Sequence, residues 1–125
     1  MSTVRTQAEL VYANNNCYAD GLAASSGCAA GAVAPATCAT PVDTIFAETT
    51  VAQAIAAAKA QSANTLNACS STANQTAYAI VTQLKASGTT GWCIDSSGKS
   101  KQVTLATADQ AGVTAEVNAS GQCVE

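Results

Sequence analysis

The sequence predicts an α+β fold in which an N-terminal helix packs on a three- or four-stranded antiparallel meander sheet, with a disulfide-pinned loop containing a second short helix between them. Three observations predict this fold: an apolar spacing of 3.6 residues near the N-terminus, a spacing of two residues after position 76, and six cysteines spread along the chain. The 125 residues suffice for one domain over residues 1–125 and are too few for two.

Residues 2–13 predict the first helix, because Ser2 is a good N-cap and no glycine or proline interrupts the segment. Apolar residues recur at i, i+4, i+7 and i+8 and define the expected buried face: Val4, Ala8, Val11 and Tyr12. The opposite face bears Arg5, Thr6 and Glu9, with Leu10 at its margin. Three consecutive asparagines at 14–16 predict the end of the helix, since their side chains compete for backbone hydrogen bonds.

Residues 14–75 predict a loop region, rich in glycine, proline and small residues and holding four of the six cysteines. Phe46 is the one large apolar anchor expected in its middle part. Within the region, residues 50–60 predict a second, alanine-rich helix with Thr49 or Thr50 as its cap. The apolar stripe of this helix consists of Val51, Ile55 and Ala58.

Residues 76–117 predict the antiparallel sheet, because the apolar spacing changes to two. In the first strand, one face is formed by Tyr78, Ile80, Thr82 and Leu84, and the other by Ala77, Ala79, Val81 and Gln83. A second strand follows around residues 92–95, and a tight turn at 96–99 leads to a third strand over residues 101–106. Residues 113–117 are compatible with a fourth strand, before a cysteine-clamped tail over residues 118–125. We expect Tyr78 and Trp92 to fill the core, since the five aromatic residues are too scattered in the sequence to form a stacking platform.

The composition argues against an enzyme and against nucleic-acid binding. The chain has no histidine, which is the commonest general base and metal ligand near neutral pH, so its many hydroxyl groups lack an activating base. The net charge is −3 and only 10% of residues are charged, which leaves no basic surface to neutralise phosphates. We therefore expect no catalytic residue, no cofactor, no metal and no specific nucleic acid.

The isolated carboxylates carry no catalytic pattern. Asp20, Asp43, Asp95 and Asp109 lack a flanking glycine loop or apolar pocket, so we expect surface or turn-capping roles for them. The segment from Asn16 echoes the opening of an EF-hand loop, but a glycine stands at position 27, where that loop needs a bidentate glutamate. A calcium site of another kind around residues 14–20 stays open.

The cysteines indicate an oxidising compartment. No two of them have the CxxC spacing and no histidine is present to complete a zinc site, so disulfides fit the pattern better than a metal. Reduced, buried thiols in a cytosolic protein are the alternative. The first ten residues contain no export signal. We therefore expect a further segment to precede Ser2 in the full-length protein.

Three segments, in this order, resemble the soluble head domain of a type IV pilin, the subunit of a bacterial pilus. They are STVRTQAELVY from Ser2, TIFAETTVAQAIAAAKA from Thr44, and TAYAIVTQLKASGTTGWCIDSSGKSKQV from Thr76, which includes a WC-[VI]-D-S-x-G hairpin. The resemblance covers nearly the whole chain except the insertion within residues 17–34. The family's cleaved leader and its hydrophobic N-terminal half-helix are absent, so residues 2–13 would be the C-terminal half of a longer helix.

The resemblance implies a structural subunit of an extracellular filament that serves adhesion, motility or DNA uptake. Subunits of this family polymerise through the N-terminal helix, which also anchors them in the inner membrane before the pilus assembly machinery acts. By resemblance, Arg5, Thr6 and Glu9 would face neighbouring subunits. Major pilin, minor pilin and pseudopilin are not separated by these residues. The alternative is a secreted, disulfide-stabilised binding module for a carbohydrate or protein ligand.

Six cysteines allow 15 pairings. In addition to what the resemblance implies, we favour three disulfides. They are a short-range bridge Cys17–Cys28, a bridge Cys38–Cys69 that encloses the second helix, and a bridge Cys93–Cys123 that holds the tail. The first pair is additional to the family pattern.

Overall fold

A five-stranded antiparallel sheet forms the centre of the protein in a computed structural model that describes residues 2–19, 28, 31–39, 44–86 and 88–124. The strands are β1 (Val33–Ala36), β2 (Asn67–Ser71), β3 (Tyr78–Gln83), β4 (Thr90–Asp95) and β5 (Ser100–Thr104), hydrogen-bonded in that order. The helices are α1 (Ser2–Asn15), α2 (Thr49–Ala60) and α3 (Gln110–Thr114), and a 3-10 turn spans Ile45–Ala47. The α+β class predicted from the sequence is thus the observed one.

The two longer helices cover one face of the sheet. Val4 and Ala8 of α1 and Val51 of α2 are fully buried against Tyr78 and Ile80 of β3. The predicted inner face of α1 is confirmed for its first three residues, all of which are buried. It is wrong for Tyr12, which is 40% exposed because it lies at the edge of the helix–sheet contact.

The opposite face of the sheet is covered by α3 and the C-terminal tail. Ala79 and Val81 of β3 pack there with Val113 of α3 and with Val117 and Cys123 of the tail. The alternation predicted for this strand is therefore confirmed, and both of its faces are buried. Trp92, expected in the core, is only half-buried at its margin.

Two strands lie inside the region that the sequence predicts as loop, so that prediction is wrong for β1 and β2. β2 has the sequence NACSS and is buried along its whole length, although it contains no large apolar residue. The strand forms because its backbone pairs with strands on both sides, although the buried hydroxyls of Ser70 and Ser71 have no hydrogen-bond partner. β1 contains Pro35, which a strand tolerates at the sheet edge, where the missing N–H is not needed.

The strand considered for residues 113–117 is also wrong, since this segment begins in α3. The side chain of Asp109 accepts a hydrogen bond from the Gly112 backbone N–H at 3.0 Å and so caps the helix. A Cβ at Gly112 would lie 2.0 Å from the Thr107 carbonyl oxygen. Only a glycine therefore fits the close approach of α3 to the preceding turn.

The helix boundaries differ slightly from the predictions. α1 includes two of the three asparagines and ends at Asn15. The next residue, Asn16, takes a positive φ of 58° and donates its N–H to the Tyr12 carbonyl at 2.7 Å. The cap of α2 is Glu48, not Thr49 or Thr50, and its carboxylate accepts the Val51 N–H at 2.9 Å. The Ser2 side chain, Asp20 and Asp43 lie outside the described residues.

Candidate functional site

Three disulfides join all six cysteines in pairs, and these are the pairs favoured from the sequence. One staples the segment after α1, one joins the residues after β1 to β2, and one ties the tail to β4. Their Cα–Cα distances are 6.3, 4.8 and 6.1 Å. Disulfides of this density indicate an oxidising environment, extracellular or periplasmic.

We define the outer face of α1 as Thr6, Glu9, Leu10 and Ala13, which are all exposed. Two of the three residues predicted to face neighbouring subunits, Thr6 and Glu9, lie on it. Arg5, the third, is only partly exposed. Leu10 is 53% exposed and is, with Tyr12 and Val124, one of three exposed large apolar side chains among the described residues.

All three tyrosines of the chain form one cluster beside this face. The Tyr18 ring lies 4.9 Å from that of Tyr12 and 4.8 Å from that of Tyr78, between centroids. The aromatic residues are therefore less scattered than the sequence suggests. However, Tyr18 and Tyr78 are buried, so only the Tyr12 ring is accessible and the cluster serves packing.

Glu9 connects the outer face of α1 to this cluster. The Tyr18 hydroxyl donates a hydrogen bond to the Glu9 carboxylate at 2.9 Å. Burial raises the pKa of Tyr18 well above its ordinary value, and the hydrogen bond and negative charge of Glu9 raise it further. Burial also raises the pKa of Tyr78 to about 12, with Glu9 adding to the effect and Arg5 opposing it. Arg5 and Glu9 are therefore not independent of the fold, contrary to the sequence-based expectation of a purely outward polar face.

We expect Glu9→Ala to lower the free energy of unfolding by about 0.5–1.5 kcal/mol, because the Tyr18 hydroxyl loses its acceptor. Thr6→Ala, on the same face, is the matched control and should change it by less than about 0.5 kcal/mol. Urea unfolding of both variants measures the difference. Equal stability of the two variants would show that the Tyr18 hydrogen bond contributes nothing.

Asp95 lies at the end of β4, paired with Ala79 and so at the same end of the sheet as Tyr78. Its carboxylate accepts hydrogen bonds from the Ser97 hydroxyl at 2.6 Å, from the N–H groups of Ser97 and Lys99, and from the Cys123 N–H at 3.0 Å. Burial would raise its pKa, but these hydrogen bonds lower the pKa below its ordinary value. Of the two roles expected for Asp95, surface or turn-capping, the turn-capping role is confirmed, and the side chain is buried, at 1% exposure.

A groove of about 400 Å³ lies along α2, between this helix and the residues around Cys38. We call it the α2 groove; its lining includes Phe46, Ala52, Ile55, Ala56, Lys59 and Asn67. It is mainly apolar, and among the described residues of its lining Lys59 carries the one charge. No sequence pattern pointed to it, because its walls come from four separate segments.

Potential metal-ligating side chains are dispersed over the described part of the chain. Among the described residues, no three of these side chains lie together. Asp109 uses its carboxylate to cap α3, and hydrogen bonds from the Thr107 hydroxyl and the Gly112 N–H lower its pKa. None of the helices in the described part of the chain is long and apolar enough to cross a membrane. Compared with protein-family models, with curated proteins and with solved structures, the chain matches none.

Proposed function

We propose that the protein is a structural subunit of an extracellular type IV pilus or pilus-like filament. The observation that supports this best is the state of α1. One face of the helix is buried against the sheet and α2, while the outer face leaves Leu10 in solvent beside Thr6 and Glu9. A helix that packs on the fold with one face only suits a subunit whose second helix face is covered by a neighbour.

The disulfides support the same proposal. A filament outside the cell has no chaperones or reducing agents to repair it, so its subunits depend on covalent constraints. Here the clamps join the end of α1, the edge strand and the tail to the remainder of the fold. The protein would act by assembly and not by a reaction, in adhesion, motility or DNA uptake.

The proposal includes an apolar segment before Ser2 that continues α1. This segment would anchor the subunit in the inner membrane, engage the pilus assembly machinery and pack with its copies in the filament core. The full-length gene tests it directly: we expect a short leader and about 20 apolar residues upstream, the length that spans a bilayer.

Immunogold electron microscopy of the source cells tests the location. Antibody raised against the chain should decorate surface filaments, and a strain deleted for the gene, examined in parallel, should show no label. A conventional signal peptide combined with label only on soluble protein in the medium would contradict the filament.

A signal peptide with label only on soluble protein would favour the alternative, a secreted binding module for a carbohydrate or protein ligand. The α2 groove favours this candidate, because its volume of about 400 Å³ lies within the range of small-molecule sites. Binding should then be lost when the groove is filled by Ala56→Trp, with Ala13→Trp on the outer face of α1 as the control. Isothermal titration calorimetry against a ligand from a glycan array measures it.

A further inference from the structure

The outer face of α1 presents an exposed apolar side chain, and the α2 groove is a mainly apolar cavity. Leu10 is 53% exposed, and the groove has Phe46 and Ile55 in its lining. Placing Leu10 in the groove would remove apolar area from water on both sides.

Their charges are also complementary. Glu9 is exposed next to Leu10, and Lys59 is the charged residue among the described residues that line the groove. A leucine placed in the groove would bring the neighbouring carboxylate near the Lys59 ammonium. Opposite charges at the rim of a contact set its register and its rate of formation.

The two surfaces lie at opposite ends of the sheet. The Tyr12 ring contacts that of Tyr18, and the Tyr18 ring meets that of Tyr78 edge to face; Tyr78 pairs with Ser71 at one end of β2. The groove includes Asn67, at the other end of that strand. Four residues of extended strand separate these ends by about 13 Å. The outer face of α1 in one copy would therefore fill the α2 groove of another copy. Each copy in such a contact would keep one of its two surfaces free for a further copy.

We propose that α1 of one copy docks in the α2 groove of the next, with Leu10 in the groove and Glu9 beside Lys59. The contact is heterologous and repeats head to tail, as an open filament requires. It rests on the proposed function, and it names the partner of the outer face of α1 as a second copy of this chain.

Site-specific photo-crosslinking tests the contact. A diazirine amino acid is placed at position 10 of the full-length protein, and the filaments and the concentrated purified protein are both irradiated. We expect a covalent dimer whose crosslink maps to residues 46–59 of the partner. The same amino acid at Val124, which is 55% exposed, is the matched control and should give no dimer linked to that segment.

Charge exchange tests the pairing. Glu9→Lys or Lys59→Glu alone should reduce the dimer yield from position 10 by about tenfold, and the two together should restore it. Because Glu9 also accepts the Tyr18 hydrogen bond, unfolding in urea is measured for each variant, and Glu9→Gln serves as a second variant that keeps an acceptor.

The outcomes separate the two proposals. Labelled filaments in which position 10 crosslinks to any other segment would overturn this contact and leave the proposed function intact. Cells without labelled filaments would overturn the proposed function, while dimers of the purified protein would still decide the contact. The contact would also be excluded if neither charge variant changed the dimer yield and the crosslink from position 10 mapped outside residues 46–59.

Discussion

Replacing Cys93 and Cys123 together by alanine is expected to lower the free energy of unfolding by roughly 2–5 kcal/mol. The bridge spans a sequence separation of 30 residues, so its loss frees a long loop in the unfolded chain. It also releases the tail that covers Ala79 and Val81 on the second face of the sheet. Urea unfolding under non-reducing conditions measures the loss.

The pair Cys17 and Cys28 is the internal control. Its separation is only 11 residues, so its removal should cost about 1 kcal/mol less from chain entropy alone. An equal loss for both double variants would show that the tail contacts add nothing to the clamp. Retention of wild-type stability in the first variant would contradict the role given to the tail.

Asp95→Asn is expected to destabilise the protein by roughly 2–4 kcal/mol near neutral pH. The carboxylate accepts hydrogen bonds at both oxygens, on one side from the turn after β4 and on the other from the Cys123 N–H. An asparagine side chain has an acceptor oxygen on one side only. Its NH₂ group would therefore face either the donors of the turn or the Cys123 N–H, and those donors would lose their acceptor. The loss is therefore larger than that of one surface hydrogen bond.

The pH dependence follows from the lowered pKa of Asp95. A carboxyl group whose pKa is lower when folded stabilises the protein above its unfolded pKa of about 3.9, and this stability is lost as the pH falls through the folded value. The gap between wild type and Asp95→Asn should thus be full at pH 6 and shrink towards pH 2. Thr6→Ala, which changes no ionisable group, is the control and should show a constant gap. A constant gap for Asp95→Asn over this range would show that the charge of Asp95 does not contribute.

The effects of Asp95→Asn and of removing the Cys93–Cys123 disulfide are expected to be coupled. Asp95 and the disulfide both hold Cys123 at β4, so their effects on stability should not add. In the chain lacking both cysteines, Asp95→Asn should cost less than in the wild type, because the tail is already partly released.

Local patterns in the sequence determined the parts of the fold whose burial follows a simple period. The inner residues Val4 and Ala8 of α1 and the two alternating faces of β3 could be predicted because apolar side chains mark the buried positions. The three disulfide pairs agreed with a choice made from the sequence. Thr6 and Glu9 could be placed on an exposed helix face for the same reason of periodicity.

Only the tertiary structure decided the rest, because there the stabilising partners are distant in the sequence. β2 is a buried strand of small and polar residues, and it exists because β1 and β3 satisfy its backbone. Asp95 is buried and binds the tail because Cys123, 28 residues later in the chain, donates its N–H to the Asp95 carboxylate. The α2 groove is likewise formed by segments that meet only in the folded chain. Periodicity reports which side chains are apolar, whereas the pairing of polar groups and the shape of a groove depend on contacts that no local pattern contains.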